Sequence, residues 1–174
     1  MRSFFSVTVY VTLQARSQDS VTHTVAEGCV MKTDSRLARM LHVLVHMGLL
    51  GGRETSERIA QMLNTNPVVV RRTLGMLRNH GIVESEGGRG GGWRLTRALD
   101  HVTVLDVQLA LTKGTILAAP ISRDHPTCPV ERASNFVLEE AHAAAETLLI
   151  AKYAATTLAK IAEDAKDKAS ATSL

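Results

Sequence analysis

Apolar residues recur at intervals of three and four along most of the chain after residue 36, which is the spacing of amphipathic helices. Three helices are predicted in the first half, each with a capping residue in front and a glycine or a polar turn behind. The first begins at Asp34 or Ser35 and ends at Gly48–Gly52. The second begins at Thr55 or Ser56 and ends at the turn Asn64–Asn66. The third runs from about Pro67 to Asn79, with Gly81 placed to end it. The last two, joined by a short polar turn, have the arrangement of a helix-turn-helix.

A pattern typical of a β-hairpin follows the third helix. Ile82–Ser85 and Trp93–Thr96 predict two strands, and Glu86–Gly92 predicts the glycine-rich turn between them. The glycine run matches neither the dinucleotide fingerprint nor a phosphate-binding loop, which argues against a nucleotide site. The expected fold class is therefore mostly α, a winged helix-turn-helix with a small β-hairpin wing.

Several side chains of this unit are placed to contact DNA. The N-terminal part of a recognition helix contacts base edges in the major groove, where arginine can bind guanine and valine can contact a thymine methyl group. We predict contacts with double-stranded DNA from Ser56, Asn66, Val68, Val69, Arg71, Arg72 and, at the tip of the wing, Arg89. The alternative is that Arg71 and Arg72 are ordinary solvated side chains on a helix surface.

The distribution of charge favours a nucleic-acid partner. The net charge is only +3, but residues 53–97 contain eight arginines against four glutamates and no lysine, whereas residues 98–174 hold seven basic and ten acidic residues. His42 and His46 have the i, i+4 spacing of a metal-binding pair, but no third ligand accompanies them in sequence. A packed or dimer-facing histidine pair is the favoured interpretation, with no metal. No catalytic constellation is evident, so no enzymatic activity is expected.

The second half of the chain predicts a helix over 103–112, ended by Gly114, then a loop, then helix for nearly forty residues from Cys128. An apolar stripe with strict 4/3 spacing follows this long helix: Val137, Ala141, Ala144, Leu148, Ala151, Ala155, Leu158 and Ala162. A stripe of this length in a small protein predicts a partner helix, so we interpret it as a C-terminal dimerisation helix. The alternative is an intramolecular packing arm.

Cys128 is the candidate redox sensor. With Pro129 behind it, this cysteine falls at a helix N-cap, where the helix dipole favours a thiolate, and His125 and Arg132 could add positive charge. The alternative is a structural cysteine that simply begins a helix. The second cysteine, Cys29, is distant in sequence, which suggests a reducing compartment rather than a secreted disulfide scaffold.

The ordered combination of these motifs resembles the Rrf2 family of bacterial winged-helix transcription regulators, over about residues 31–165. The matching segments are 66–83, 85–95, 101–107, Lys113-Gly114 and 125–130. The resemblance implies a dimer that binds near-palindromic operator DNA. Many relatives have Arg-Gly early in the wing, where this chain has Gly87-Gly88, and its wing arginine is Arg89 instead. Some relatives bind an iron–sulfur cluster through three closely spaced cysteines, but here Cys128 stands alone, so no cluster or other cofactor is expected.

These observations predict four segments and one function. Residues 1–30 are interpreted as a disordered extension or a start-site error, 31–100 as the DNA-binding domain, 101–166 as linking helix, sensor loop and dimerisation helix, and 167–174 as a flexible tail. The predicted function is a homodimeric, cytoplasmic, nucleoid-associated repressor that responds to a redox or small-molecule signal, with no membrane association. Two alternatives stay open: an iron–sulfur-dependent regulator, and a helical protein-interaction adaptor that does not bind DNA.

Overall fold

Helices α1 (Arg36–Leu50), α2 (Ser56–Met62) and α3 (Pro67–Asn79) confirm the three helices predicted first. They are seen in a computed structural model that describes residues 35–88, 91–112 and 114–172, so the prediction for residues 1–30 lies outside the described part. Asn66 caps α3, since its Oδ1 accepts a hydrogen bond from the amide of Val68 at 2.8 Å. Gly81 then ends the segment with a φ of +64°, a conformation that glycine adopts without strain.

One apolar core joins these helices. Val70, Leu74 and Leu77, which share one face of α3, are at most 1% exposed. They pack with Leu44 of α1 and Ile59 of α2, which are fully buried. Because this face of α3 is buried in the core, the residues on its opposite face are the ones exposed to solvent.

The predicted hairpin is confirmed with strands β1 (Val83–Glu86) and β2 (Gly92–Leu95), which pair antiparallel with Val83 opposite Leu95. Each strand is displaced by one residue from its expected limits. Glu54 forms an additional bridge to Trp93, so the segment before α2 lies beside β2. A Cβ atom at Gly91 would collide with the carbonyl oxygen of Glu86, which explains why the turn needs glycine there.

The chain then crosses back through a single 3₁₀ turn, Leu99–His101, into α4 (Val104–Leu111). A capping box begins α4: the hydroxyl of Thr103 accepts from the amide of Asp106 at 3.1 Å, while the carboxylate of Asp106 accepts from the amide of Thr103 at 2.8 Å. Val107 and Leu111 of α4 join the core. The helix expected over 103–112 is therefore confirmed.

The long helix predicted from Cys128 is confirmed as α5 (Pro129–Ala154), but its extension to nearly forty residues is wrong. The chain leaves the helix at Ala155–Thr157 and resumes as α6 (Leu158–Thr172). In the break, the carbonyl of Thr156 accepts from the amide of Val104 at 2.9 Å, and the amide of Leu158 donates to the carbonyl of Val102 at 2.9 Å. These bonds hold the break against the segment before α4, and α6 packs against α1 and the 3₁₀ turn.

Helix α6 also occupies residues 167–172, most of the segment that the sequence pattern predicted as a tail. Its surface bears alternating charges, and Lys160 Nζ lies 3.0 Å from a carboxylate oxygen of Asp164, one turn ahead. The hydrogen bond and charge of Asp164 raise the pKa of Lys160 above its usual value. Within the described ranges, no helix is both long and apolar enough to cross a membrane.

Candidate nucleic-acid interface

The N-terminal half of α3 presents apolar side chains to solvent. Val68 is 62% exposed and Val69 is 50% exposed, whereas Val70 beside them is buried. Asn66, Arg71 and Arg72 are exposed on the same helix or at its cap. Large apolar side chains at the exposed start of a helix typically mark a binding surface when polar groups surround them. The structure therefore brings five of the predicted DNA contacts together on one surface.

One of these five side chains, Arg71, borders a groove between the recognition helix and the hairpin. The groove has a volume of about 550 Å³, and its lining includes Thr55, Glu57, Arg71, Ser85 and Glu86. Arg78, two turns after Arg71 on α3, spans to the hairpin by donating a hydrogen bond to the hydroxyl of Ser85 at 3.2 Å. Helix and hairpin thus form one continuous surface, as a winged helix requires. Sequence reasoning missed Arg78 as a linking residue, although the seven-residue spacing from Arg71 indicates the same helix face.

Ser56 differs from the other predicted contacts because it is only 6% exposed. Its hydroxyl oxygen accepts a hydrogen bond from the indole Nε1 of Trp93 at 3.0 Å. Trp93 lies on β2, so this bond connects the start of α2 to the hairpin. The position of Ser56 fits support of the wing by its side chain rather than direct contact with a nucleic acid. Arg89 lies outside the described residues, and its contact stays a prediction.

Carboxylates neutralise half of the arginines in the basic segment. Each of its four glutamates lies against one arginine: Arg53 with Glu86, Arg58 with Glu54 at 3.2 Å, Arg71 with Glu57 at 3.0 Å, and Arg94 with Glu84. Arg72 has no carboxylate partner among the residues that the structure describes. Arg72 is therefore the most available cation of this segment on the recognition helix.

Helix α5 leaves its apolar stripe exposed. No residue of α5 is buried; Val137 is 63% exposed and Leu148 is 74% exposed. The stripe positions Ala141, Ala144 and Ala151 are exposed as well. In α6 the same repeat behaves differently, since Leu158 is fully buried and Ala162 is 5% exposed. The part of the stripe available to a partner helix therefore ends near Ala155.

The opposite side of α5 holds the preceding loop by hydrogen bonds. Glu146 accepts from the amide of Ile116 at 2.7 Å, and Asn135 both accepts from the amide of Ser122 at 3.1 Å and donates to its carbonyl at 2.7 Å. Glu131 accepts from the amide of His125 at 2.8 Å. These polar side chains fix the loop at three points along the helix. No pattern in the sequence indicates these contacts, because charged and amide side chains on an exposed helix are ordinary.

Cys128 lies at the N-cap of α5, as predicted, and is half-buried. Its amide donates to the carbonyl of His125 at 2.9 Å, and its carbonyl accepts from the amide of Arg132 at 3.1 Å. His42 and His46 lie on α1 with ring centroids 4.8 Å apart in an edge-to-face contact, and both are exposed. No cluster of three or more histidine, cysteine or acidic side chains able to hold a metal ion occurs within the described ranges.

Comparison with known proteins places these features in context. Residues 33–164 match the Rrf2 family model, described as "Iron-dependent Transcriptional regulator". The chain is 35% identical over 107 residues to YwnA of Bacillus subtilis (strain 168), named as a candidate HTH-type transcriptional regulator; the match covers 62% of this chain and 79% of YwnA.

Solved structures share the fold. The crystal structure of a candidate DNA-binding protein matches with a TM-score of 0.59 and 29% identity, covering 73% of this chain and 98% of that one. The structure of CymR (YrzC), the global cysteine regulator of B. subtilis, matches with a TM-score of 0.53 and 21% identity, covering 78% and 98%. A mostly helical fold with a two-stranded hairpin is thus common to all three chains.

The iron in the family description does not fit the ligands offered by the residues that the structure describes. Iron–sulfur clusters are held mainly by cysteine thiolates, typically four. Cys128 is the one cysteine within the described ranges, and the carboxylate of Glu131 beside it already accepts a hydrogen bond from the loop. The described part of the chain therefore lacks a donor set for a cluster of that kind, and no iron-dependent step is assigned to it.

Proposed function

Because the chain belongs to the Rrf2 family of transcriptional regulators, we propose that it is a homodimeric repressor whose two α3 helices bind a near-palindromic operator. Membership of the family makes it a DNA-binding transcription regulator and not an enzyme. The observation that supports operator recognition by α3 is its exposed start, where Val68 and Val69 precede Arg72, which has no carboxylate partner in the described ranges. The assignment of individual contacts is our proposal.

Each exposed side chain of α3 suits a different part of DNA. Val68 and Val69 are apolar and can pack on thymine methyl groups in the major groove. The Oδ1 of Asn66 is occupied by the helix cap, so its amide nitrogen is the group available to a phosphate or a base acceptor. Arg72, without a carboxylate partner in the described ranges, suits a phosphate. Among these residues, the valines would contribute base discrimination, and Arg72 would add affinity without discrimination.

The exposed stripe of α5 supports the proposed dimer. Twenty-six residues of helix span about 39 Å at 1.5 Å per residue, and the exposed stripe positions from Val137 to Ala151 include three alanines, which permit close approach of a second helix. A two-fold dimer would place two α3 helices to bind successive half-sites. The proposed target also locates the protein in the cytoplasm, on the nucleoid.

For the signal, we propose Cys128 as the residue that an oxidant modifies. Its partial exposure and its place at the start of α5 support this assignment. The loop bonded to α5 leads back to α4 of the DNA-binding unit, so a change at Cys128 could alter the angle between the two α3 helices. Operator binding of the Cys128→Ser variant should then resist peroxide, whereas oxidised wild-type protein should release the operator.

A titration of the protein against DNA from its own promoter region, followed by fluorescence anisotropy, tests the function. Arg72→Ala should weaken binding to cognate and unrelated fragments alike and lower the slope of log K against log salt by about one. Val68→Ala with Val69→Ala should weaken mainly the cognate complex. Arg123→Ala, an exposed arginine of the loop, is the matched control and should change neither.

Two results would contradict the proposal. Dimers that bind no promoter fragment at any salt concentration would favour the adaptor function. Operator binding by monomers, with no dependence on a second half-site, would remove the dimeric mechanism. Footprinting on the same fragment then shows whether the site overlaps the promoter, as repression by occlusion requires.

A further inference from the structure

We propose that Glu57 determines DNA specificity by directing Arg71 towards a base edge and away from phosphates. This inference rests on the proposed binding of DNA by α3. Glu57 lies on α2 and Arg71 on α3, fourteen positions apart, and Nη1 of Arg71 donates to Oε1 of Glu57 at 3.0 Å. Both side chains line the groove between the recognition helix and the hairpin.

The pair contributes little to the fold itself. The side chains of Arg71 and Glu57 are 53% and 61% exposed, and ion pairs exposed to this extent stabilise proteins by about 0–1 kcal/mol. Helices α2 and α3 are already joined by the buried Ile59 and Val70. A carboxylate in a DNA-binding groove also repels phosphates, which lowers affinity for DNA of any sequence. The carboxylate of Glu57 therefore affects which group of the DNA Arg71 binds, rather than the packing of α2 against α3.

The repulsion is selective, because the groups that Arg71 can bind differ in charge. A phosphate is anionic and is disfavoured next to Glu57, whereas the O6 and N7 acceptors of guanine are neutral and are not. The contact with Glu57 engages Nη1 of Arg71. Nε and Nη2 stay available to donate side by side to one guanine edge. Specificity is a difference of affinities, so a group that penalises the wrong contact increases it.

The neighbouring arginine gives an internal contrast. Arg72 has no carboxylate partner in the described ranges and is free to follow a phosphate of any sequence. Two adjacent arginines on one helix would thus have different roles. Arg71, held by Glu57, would recognise a base, and Arg72 would bind the DNA backbone.

The variant Glu57→Gln tests this, because it keeps the shape of the side chain and removes its charge. Affinity for unrelated DNA should rise several-fold, and the ratio of operator affinity to unrelated-DNA affinity should fall by about tenfold. The slope of log K against log salt should steepen by about one, since Arg71 gains a phosphate. Glu84→Gln is the matched control: it removes the carboxylate of the Arg94 pair outside the groove and should leave the ratio unchanged.

The same substitution in an Arg71→Ala background shows whether Glu57 acts through Arg71. There, Glu57→Gln should no longer change the salt slope or the affinity ratio. An unchanged ratio in the single variant, or the same loss of ratio without Arg71, would overturn the inference while operator binding by the wild-type protein still stands. Absence of salt-dependent operator binding by the wild-type protein would instead refute the proposed function, and the inference with it.

Discussion

Helices α5 and α6 contain parts of one apolar repeat, yet they differ in what covers it. Leu148 of α5 is 74% exposed, and Leu158 of α6 is fully buried, although both positions satisfy the same 4/3 spacing. The side of α6 that contains Leu158 completes the core of its own chain, whereas the stripe of α5 is left uncovered by the residues that the structure describes. Periodicity thus indicates that a helix face needs a packing partner. The break between the helices determines whether that partner is the core of the same chain, as for α6, or lies outside it, as proposed for α5.

The break at Ala155–Thr157 produces this difference. Two backbone hydrogen bonds, one accepted by the carbonyl of Thr156 and one donated by the amide of Leu158, join the break to Val104 and Val102 and turn the chain towards α1. Without them, a continuous helix would carry Leu158 and Ala162 away from the core with the rest of the stripe. The C-terminal helix therefore packs on the DNA-binding unit, and the proposed dimer surface is shorter than the repeat predicts.

The largest effect that distinguishes the two helices is expected for Leu158→Ala. Removing a fully buried leucine leaves a cavity in the core and should lower the free energy of unfolding by about 2–5 kcal/mol. Urea denaturation monitored by circular dichroism, at low protein concentration where dissociated chains dominate, measures this change.

Leu148→Ala is the matched control for Leu158→Ala, with the same atoms removed from an exposed site. It should change the free energy of unfolding of dissociated chains by less than about 0.5 kcal/mol. Equal losses for both variants would mean that the stripe of α5 is covered within one chain, which is the packing-arm alternative.

A comparable effect is expected for Leu148→Asp, but on assembly rather than on folding. Each copy would bring one leucine to a two-fold interface, and burial of a leucine contributes about 1.5–3 kcal/mol. The dimer dissociation constant should therefore rise by at least about a hundredfold, since each 1.4 kcal/mol is tenfold. Sedimentation equilibrium measures it. Ala143→Asp, exposed on α5 but outside the stripe, should leave the constant within a few-fold, and a similar rise there would place the interface elsewhere.

Local signals explain how much of the fold could be predicted. The limits of α3 follow from Asn66, Pro67 and Gly81, whose effects on the backbone do not depend on distant residues. The break after α5 was not predicted, because Thr157 caps a helix in the middle of an unbroken repeat. Its backbone partners near Val102 lie more than fifty positions earlier, and no local pattern indicates such pairing.

In the candidate interface, too, some features could be predicted from local sequence and others depend on distant residues. The exposure of Val68 and Val69 agrees with their predicted place at the start of a recognition helix. The burial of Ser56 was not, since its partner Trp93 is thirty-seven positions away. The pairing of Arg71 with Glu57 joins two helices and also escaped prediction. Sequence patterns thus indicated which residues form the surface, but not which of its charges are already neutralised.

The smallest expected effect concerns the residue that separates the two helices. Thr157 Oγ1 accepts a hydrogen bond from the amide of Lys160 at 3.2 Å, so it satisfies one of the free amides at the start of α6. Thr157→Ala should remove this cap and lower the free energy of unfolding by about 1 kcal/mol. Thr147→Ala is the matched control, because that hydroxyl donates to a carbonyl one turn back inside α5, and alanine is the better helix former there. Urea denaturation of both variants should show a loss for Thr157 and no loss for Thr147. If Thr157→Ala instead proves neutral, the backbone bonds to Val102 and Val104 alone would hold the break, and capping would have no part in separating a dimer helix from a core helix.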